Sequence, residues 1–362
     1  MRICFFAGAN SAHSYRWIRY FAAVGHEVDW ISLAPSAQPI EGVRFHYMGP
    51  LARNPFRVLR QGWALRRLLR KIRPEVLHVH SAGTYGLIAW LSGYHPLIVT
   101  AWGSDVLFSL KSPLRKMLVK RVLRSAELVT CDAEHMRKVL LALGLHTEKV
   151  KRINFGVEPD FFTKGGKDMR LLREWGAEGR RVVISLRNLE PVYDVDTLIR
   201  AVPIVKEANP DVKFVIGGGG TQELRLKSLA RTIGISDSVI FIGKYSLSEL
   251  PRYLQSADIY VSTSLSDAGI AASTAEAMSC CLPVIVSDSG ENTEWITDLN
   301  NGAVFPARRP DMLAEKINLF LSNPELRVRC GIAGRERIAR DNNYYLEMSK
   351  MENLYKAFAT TL

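Results

Sequence analysis

The stretch that decides the fold runs from Ser266 to Val286, SDAGIAASTAEAMSCCLPVIV. A polar loop carrying Asp267 leads into Gly269, Ile270 and Ala271, small residues that open a helix. Glu276 lies within that helix, Cys280-Cys281-Leu282-Pro283 ends it, and Val284-Ile285-Val286 reads as a buried strand. Loop, helix and strand in this order build a parallel α/β sheet. The start of such a helix leaves backbone N–H groups unpaired, which suits a phosphate. A carboxylate further along the helix could reach sugar hydroxyls. An ordinary helix entering an α/β sheet would read the same way.

Outward from this segment the same alternation continues. In the second half, Arg181 to Leu186, Lys213 to Ile216, Val239 to Ile242, Ile259 to Ser262 and Val284 to Ser287 read as strands, with helices over Asp196 to Ala208 and Gln222 to Ile233. In the first half, Arg2 to Ala7, Glu27 to Leu33, Val76 to His80, Leu97 to Thr100, Leu128 to Cys131 and Val150 to Asn154 are strands. Ser14 to Val24 has helical spacing, with Trp17, Ile18, Phe21 and Ala22 on one face. Phe161 to Lys167, with Gly165-Gly166, breaks both patterns and reads as a linker. The expected division is 1–160, 161–340 and a closing helix over 341–362 that packs back on the first domain. Doubly wound domains bind ligands at the carboxyl ends of their strands.

The charge is uneven. Residues 1–160 hold 23 Lys and Arg against 11 Asp and Glu, and residues 161–362 hold 25 against 25, so the whole net charge of +12 sits in the first half. A partner of that half is expected to be anionic. Two stretches carry the charge. Residues 51–73 hold Arg53, Arg57, Arg60, Arg66, Arg67, Arg70, Lys71 and Arg73 with no acid, interleaved with Phe56, Leu59, Trp63 and other apolar residues. Residues 111–124 hold Lys111, Arg115, Lys116, Lys120, Arg121 and Arg124, again with no acid. Cationic amphipathic helices of this kind lie on anionic bilayers, although a solvated helix face has the same composition. No nucleic-acid module accompanies the charge.

Met1 to Ala7 is too short for a signal peptide and reads as a first strand. Tyr85 to Trp102, broken by Ser92, Gly93, His95 and Pro96, reads as a core helix and strand. The five cysteines make no metal-ligand spacing and are expected to be reduced, in a cytoplasmic protein. His78 and His80 alternate on a strand with no visible third metal ligand, and are expected to be buried strand residues.

Glu276-Ala277-Met278 followed by Pro283-Val284-Ile285 resembles the nucleotide-sugar site of the family-four retaining glycosyltransferases, the group 1 glycosyl transferases. The family pattern places an acid eight residues before the Glu. Here Asp267 stands one residue further out. The resemblance covers nearly the whole chain and implies an α/β chain of GT-B architecture, with two doubly wound Rossmann-like domains facing across a cleft.

The resemblance also implies roles. Glu276 would bind ribose hydroxyls, Asp267 sugar hydroxyls, and the N–H groups at Gly269, Ile270 and Ala271 the phosphates. Arg187 fits the arginine of the diphosphate loop, and Tyr193 falls where the family carries a lysine. Lys244 could supply that missing charge, and Tyr245 lies beside it where the family reads the base. Gly217 to Gly220 matches a Gly-rich turn that could cradle a phosphate or simply be a tight turn. In the first half, Gly8 would let backbone approach the ligand, and His13 and Arg16 could face the acceptor. Trp102 stands where many members carry His, and Asp105 could hold an acceptor hydroxyl or cap a helix. The candidate catalytic set is therefore Asp267, Glu276, Arg187 and His13.

The implied activity is retaining transfer of a hexose-type sugar from a UDP- or GDP-linked donor to a lipid-linked or cell-surface glycan. It would proceed at the inner face of the membrane without a metal or other cofactor. Front-face attack, with the leaving phosphate taking the acceptor's proton, needs no side-chain nucleophile. A catalytically weak membrane-bound partner, suggested by Tyr193 and the shifted Asp267, and a nucleotide-sugar epimerase stay open.

Overall fold

The computed structural model describes residues 1–36, 38–50, 54–267 and 269–359. Arg53 of the first basic stretch and residues 360–362 of the closing segment lie outside the described residues. The chain divides into two compact units, Met1–Phe155 with Tyr345–Leu362, and Gly156–Tyr344.

The first unit is a seven-stranded parallel sheet in the order β3-β2-β1-β4-β5-β6-β7. The strands are β1 (Arg2–Phe6), β2 (Glu27–Ser32), β3 (Val43–Tyr47), β4 (Val76–His80), β5 (Leu97–Ala101), β6 (Leu128–Cys131) and β7 (Val150–Arg152). The central strands β4, β5 and β6 are buried throughout, which is why they read as mostly apolar runs. The helix Pro55–Ile72 opens with Asn54 as cap and Pro55 in its first turn, and buries Leu65, Leu69 and Ile72 against the sheet. The helix Tyr344–Ala359 buries Met348, Met351 and Tyr355. Its Glu347 accepts from the Asn154 N–H at 2.8 Å, and Tyr355 reaches His78.

The second unit is a six-stranded parallel sheet in the order β10-β9-β8-β11-β12-β13. Its strands are β8 (Val182–Leu186), β9 (Lys213–Gly217), β10 (Val239–Gly243), β11 (Ile259–Ser262), β12 (Val284–Ser287) and β13 (Ala303–Phe305). Phe161–Lys167 is part of this unit and not a free linker. Phe162 is buried in its core, Gly165 packs on Gln255, and Lys167 pairs with Asp258 at 2.6 Å. The two glycines break the helical pattern without loosening the segment.

Both sheets are doubly wound Rossmann-like sheets. Counted from its own first strand, each runs 3-2-1-4-5-6, with β7 added in the first unit. The order reverses between β1 and β4, and between β8 and β11. Ligands bind outside the carboxyl ends of the strands at such a reversal. All five cysteines are free, and burial pushes the Cys131 and Cys280 thiols up to about 12, far from a reactive thiolate. Among the described residues, no helix is long and apolar enough to cross a membrane.

Candidate active site

Arg187 follows the last residue of β8, and Asp267 lies in the loop after β11, so the reversal in the second sheet brings them together. An Arg187 guanidinium N–H donates to Asp267 Oδ1 at 2.5 Å, and the two side chains are only 9% and 7% exposed. Longer contacts run to Ser273 Oγ at 3.4 Å and Ser264 Oγ at 3.5 Å. Arg187 Nε and Asp267 Oδ2 have no hydrogen-bond partner among the described residues. Burial pulls the Arg187 pKa down, but Tyr260 and Asp267 outweigh it and leave it raised. Burial also raises the Asp267 carboxyl, more than Arg187 and the neighbouring Ser264 and Asn292 side chains lower it.

Tyr193 does not take up the missing lysine's charge. Its ring lies against the Arg187 guanidinium, 4.4 Å from its centre, and its carbonyl accepts from Thr263 Oγ1 at 2.9 Å. The sequence placed Tyr193 at the diphosphate loop but not as the surface on which Arg187 rests.

The helix Ala272–Ser279 begins beside this pair. Its cap, Ala271, offers no side-chain acceptor, so the N–H groups of its first turn are not satisfied by a capping side chain. Gly269 has φ +77°, a turn other residues rarely make. Ile270 packs at the edge of the core, and Glu276 is half-buried one turn into the helix. Burial, then Tyr260 and Glu276, push the Tyr245 hydroxyl well up. Tyr245 therefore shares the electrostatic neighbourhood of Glu276.

The glycines at 217–220 have a structural reason. A Cβ on Gly218, at φ +132°, would lie 2.1 Å from the Arg187 carbonyl, and one on Gly220 would lie 2.3 Å from the Leu189 carbonyl. The turn is bare so that the Arg187–Leu189 backbone can lie on it, and Leu189 N–H donates to the Gly219 carbonyl at 2.9 Å. Lys244 is exposed and drapes its stem over Gly219. Asp194-Val195-Asp196 has a spacing that could offer two carboxylates to a cation, but both are spent internally. Asp194 accepts from Thr197 Oγ1 at 2.7 Å, and Asp196 pairs with Arg200 and Arg225.

In the first unit, Gly8 follows β1, with Asn10 Oδ1 3.2 Å and Tyr85 Oη 3.7 Å from where its Cβ would be. The helix Ala12–Ala23 starts on the Ser11 cap and carries His13 and Arg16. His13 stacks on Phe155 at 4.0 Å, and Phe155 stacks on Trp102 at 5.1 Å and 10°. Desolvation of the packed ring, then the Arg16 charge, pull the His13 pKa down, so it is neutral at physiological pH. The sequence placed Phe155 in a loosely matched family hinge segment, Asn154 to Glu158, without a role at the site, though an aromatic beside Gly156 was the available signal.

Asp105 is engaged by backbone N–H groups. Its carboxylate accepts from Ala82 N–H at 2.6 Å and Val106 N–H at 3.0 Å, tying the β4 loop to the start of the helix Ser104–Leu110. The two strand histidines differ. His78 is saturated, with Nδ1 2.5 Å from Tyr355 Oη and Nε2 2.7 Å from Thr100 Oγ1. His80 uses Nδ1 on Ser14 Oγ at 3.0 Å and leaves Nε2 without a partner among the described residues, boxed edge-on by Trp17 and Trp102.

Residues 171–337 match the family model described as glycosyl transferases group 1, and residues 2–133 match the one described as glycosyl transferase 4-like. The chain belongs to the group 1 glycosyl transferases. Members of this kind use nucleotide sugars, and the two Rossmann-like sheets are those of the GT-B fold. Among its relatives is a GDP-mannose-dependent alpha-(1-6)-phosphatidylinositol monomannoside mannosyltransferase of Mycolicibacterium smegmatis. It is 26% identical over 69% of this chain and 67% of its own length. An alpha-monoglucosyldiacylglycerol synthase of Streptococcus pneumoniae is 26% identical over 58% of this chain and 48% of its own. Among solved structures, Anabaena HepE in complex with UDP superposes with a TM-score of 0.84 at 16% identity, covering 99% of this chain and 100% of that one. That likeness establishes the fold.

Proposed function

We propose that this glycosyl transferase is a retaining hexosyltransferase. It moves a sugar from a UDP- or GDP-linked donor to a lipid-linked or cell-surface glycan at the cytoplasmic face of the membrane. The observation that carries the donor site is the buried Arg187 beside the uncapped helix start and Glu276, at the carboxyl end of β8 and β11. Arg187 and the N–H groups at Gly269, Ile270 and Ala271 receive the diphosphate and stabilise the charge that builds on it as the sugar leaves. Glu276 takes the ribose hydroxyls and Asp267 those of the sugar. Tyr245 and Lys244 flank the base. The acceptor attacks on the face the diphosphate leaves, and the departing phosphate takes its proton, so no metal and no side-chain nucleophile is needed. His13 and Arg16 of the first unit receive the acceptor, and Gly8 lets backbone come close to the donor.

The membrane reading rests on the first unit's surface. Phe56 is 81% and Trp63 60% exposed on the helix Pro55–Ile72, among the exposed Arg57, Arg60, Arg66, Arg67, Arg70 and Lys71. Phe108, Leu114 and Met117 are exposed among Lys111, Arg115 and Lys116. Apolar and cationic side chains presented together suit an anionic bilayer. Relatives whose names carry a phosphatidylinositol mannoside and a diacylglycerol support the lipid-linked acceptor.

The test is thermal stabilisation by a panel of UDP-, GDP- and ADP-sugars, for wild type and Glu276→Ala. A ligand at a hundred times its dissociation constant stabilises by about 2.7 kcal/mol. A shift with one nucleotide, lost in the variant, is expected. No shift with any donor overturns the donor site. The second reading, a catalytically weak partner, is favoured by the uncharged Tyr193. It predicts intact nucleotide binding with no sugar transfer.

A further inference from the structure

Arg187 and Asp267 form a closed-looking pair with open valences. The ion pair is 2.5 Å long and both side chains are more than nine-tenths buried. A pair kept only for stability would be expected to fill its remaining positions, because an unpaired buried polar atom is costly. Here Arg187 Nε and Asp267 Oδ2 are both unpartnered among the described residues. Each residue also has a seat that does not depend on their bond. Arg187 lies on the Tyr193 ring at 4.4 Å, a contact that occupies none of its N–H groups. The Asp267 carbonyl, not its carboxylate, fixes its loop: it accepts from Glu291 N–H at 3.3 Å, and only a glycine fits at 290, where a Cβ would lie 2.0 Å from that oxygen. Each side chain can therefore change partner without losing its seat.

We propose that Asp267 is a resident stand-in for the donor's diphosphate. In the ligand-free protein its carboxylate occupies Arg187, and a nucleotide sugar binds by exchange: the diphosphate takes Arg187, and the released carboxylate turns to the sugar hydroxyls. This rests on the donor site proposed above. A carboxylate and a diphosphate cannot share one guanidinium without like-charge repulsion. The exchange has a consequence for selectivity. A nucleotide sugar gives the displaced carboxylate new hydroxyl partners, whereas a free nucleoside diphosphate gives it none. The pair therefore favours the loaded donor over the spent product and speeds product release.

The test is titration calorimetry of UDP and GDP, without sugar, into the full chain as wild type, Asp267→Asn, Arg187→Ala and the double variant. Losing a charge-assisted bond is expected to tighten diphosphate binding by Asp267→Asn about tenfold or more, and the gain is expected to vanish in the Arg187→Ala background. Unchanged or weaker binding by Asp267→Asn overturns the exchange. So does an equal gain in the Arg187→Ala background, which would mean simple repulsion of phosphate by the carboxylate. Binding of neither nucleotide by any of the four proteins overturns the donor-site reading itself, and the exchange with it. If Asp267→Asn does not fold, the wild type decides through the 15N spectrum of its arginine Nε groups. The signal absent from Arg187→Ala is expected to move on adding UDP or GDP, and an unmoved signal in a protein that binds the nucleotide overturns the proposal.

Discussion

The crevices at the two sheet reversals have the same strand order and opposite chemistry. In the second unit the reversal between β8 and β11 holds a buried ion pair, Arg187 and Asp267, each with an atom unpartnered among the described residues. In the first, rings gather from beyond β1, β5 and β7 and from the end of β4: His13, Trp102 and Phe155 stacked, and His80 edge-on to Trp102. All eight histidines of the chain lie before residue 156, and the second unit has none. Topology decides where a ligand is met, and the side chains there decide which ligand. One crevice presents a buried ion pair, the other stacked aromatic rings.

The sharpest way to break that contrast is Arg187→Ala. Removing the cation from the anion crevice is expected to lower sugar transfer about 10²–10³-fold, measured as product formed at saturating donor. A loss under tenfold would mean the diphosphate is handled elsewhere. Next in size is the basic face of the first unit. Arg57→Ala with Arg60→Ala removes about 1 kcal/mol of membrane attraction per residue, roughly a thirtyfold loss together. Flotation with anionic vesicles reads it, and equal recovery on neutral vesicles would sink the electrostatic version. Trp102→Ala tests the ring crevice. It is expected to raise the acceptor KM about tenfold while leaving the donor KM in place, and a rise in donor KM instead would move Trp102 to the other substrate.

A pH effect is expected in the first unit alone. Burial holds the His80 pKa down at about 3 and that of His78 well below 6.5. Both are therefore neutral when folded and take up a proton on unfolding below about pH 6.5. Their contribution to stability is complete above that pH and is lost as pH falls toward the folded pKa. The expected slope is up to about 1.4 kcal/mol per pH unit for each histidine. Melting between pH 7 and 5 is expected to show the first unit weakening while the second, without histidine, lags. A parallel fall in both, or an unaltered slope in His80→Gln, would refute it.

Much of this was legible in the sequence because parallel strands buried on both faces announce themselves as apolar runs. Two strands did not. β3 is an edge strand whose Arg44, Phe45 and Tyr47 are exposed, and β13 has only three residues. At the site, Arg187 and Glu276 could be found by pattern, since each occupies a fixed place beside a strand or helix end. The partnerships could not. That Tyr193 supports Arg187, that Asp105 is consumed by two backbone N–H groups, and that His78 is saturated while His80 is not are all facts of packing. The partner of His78, Tyr355, is 277 residues away along the chain.

That distance bears on how the molecule is made. The second unit is an insertion, whose two ends meet where Val157 N–H donates to Asn342 O and Tyr344 N–H to Val157 O. Every residue it needs has been synthesised by position 344. The first unit, begun earlier, lacks Met348, Met351 and Tyr355 until the final helix emerges, and Tyr355 is the residue that closes over Phe5, Phe21 and His78. Domains fold as units during synthesis, usually the amino-terminal one first. Here the order of completion is reversed: the half of the sheet system that leaves the ribosome first is the last to be sealed.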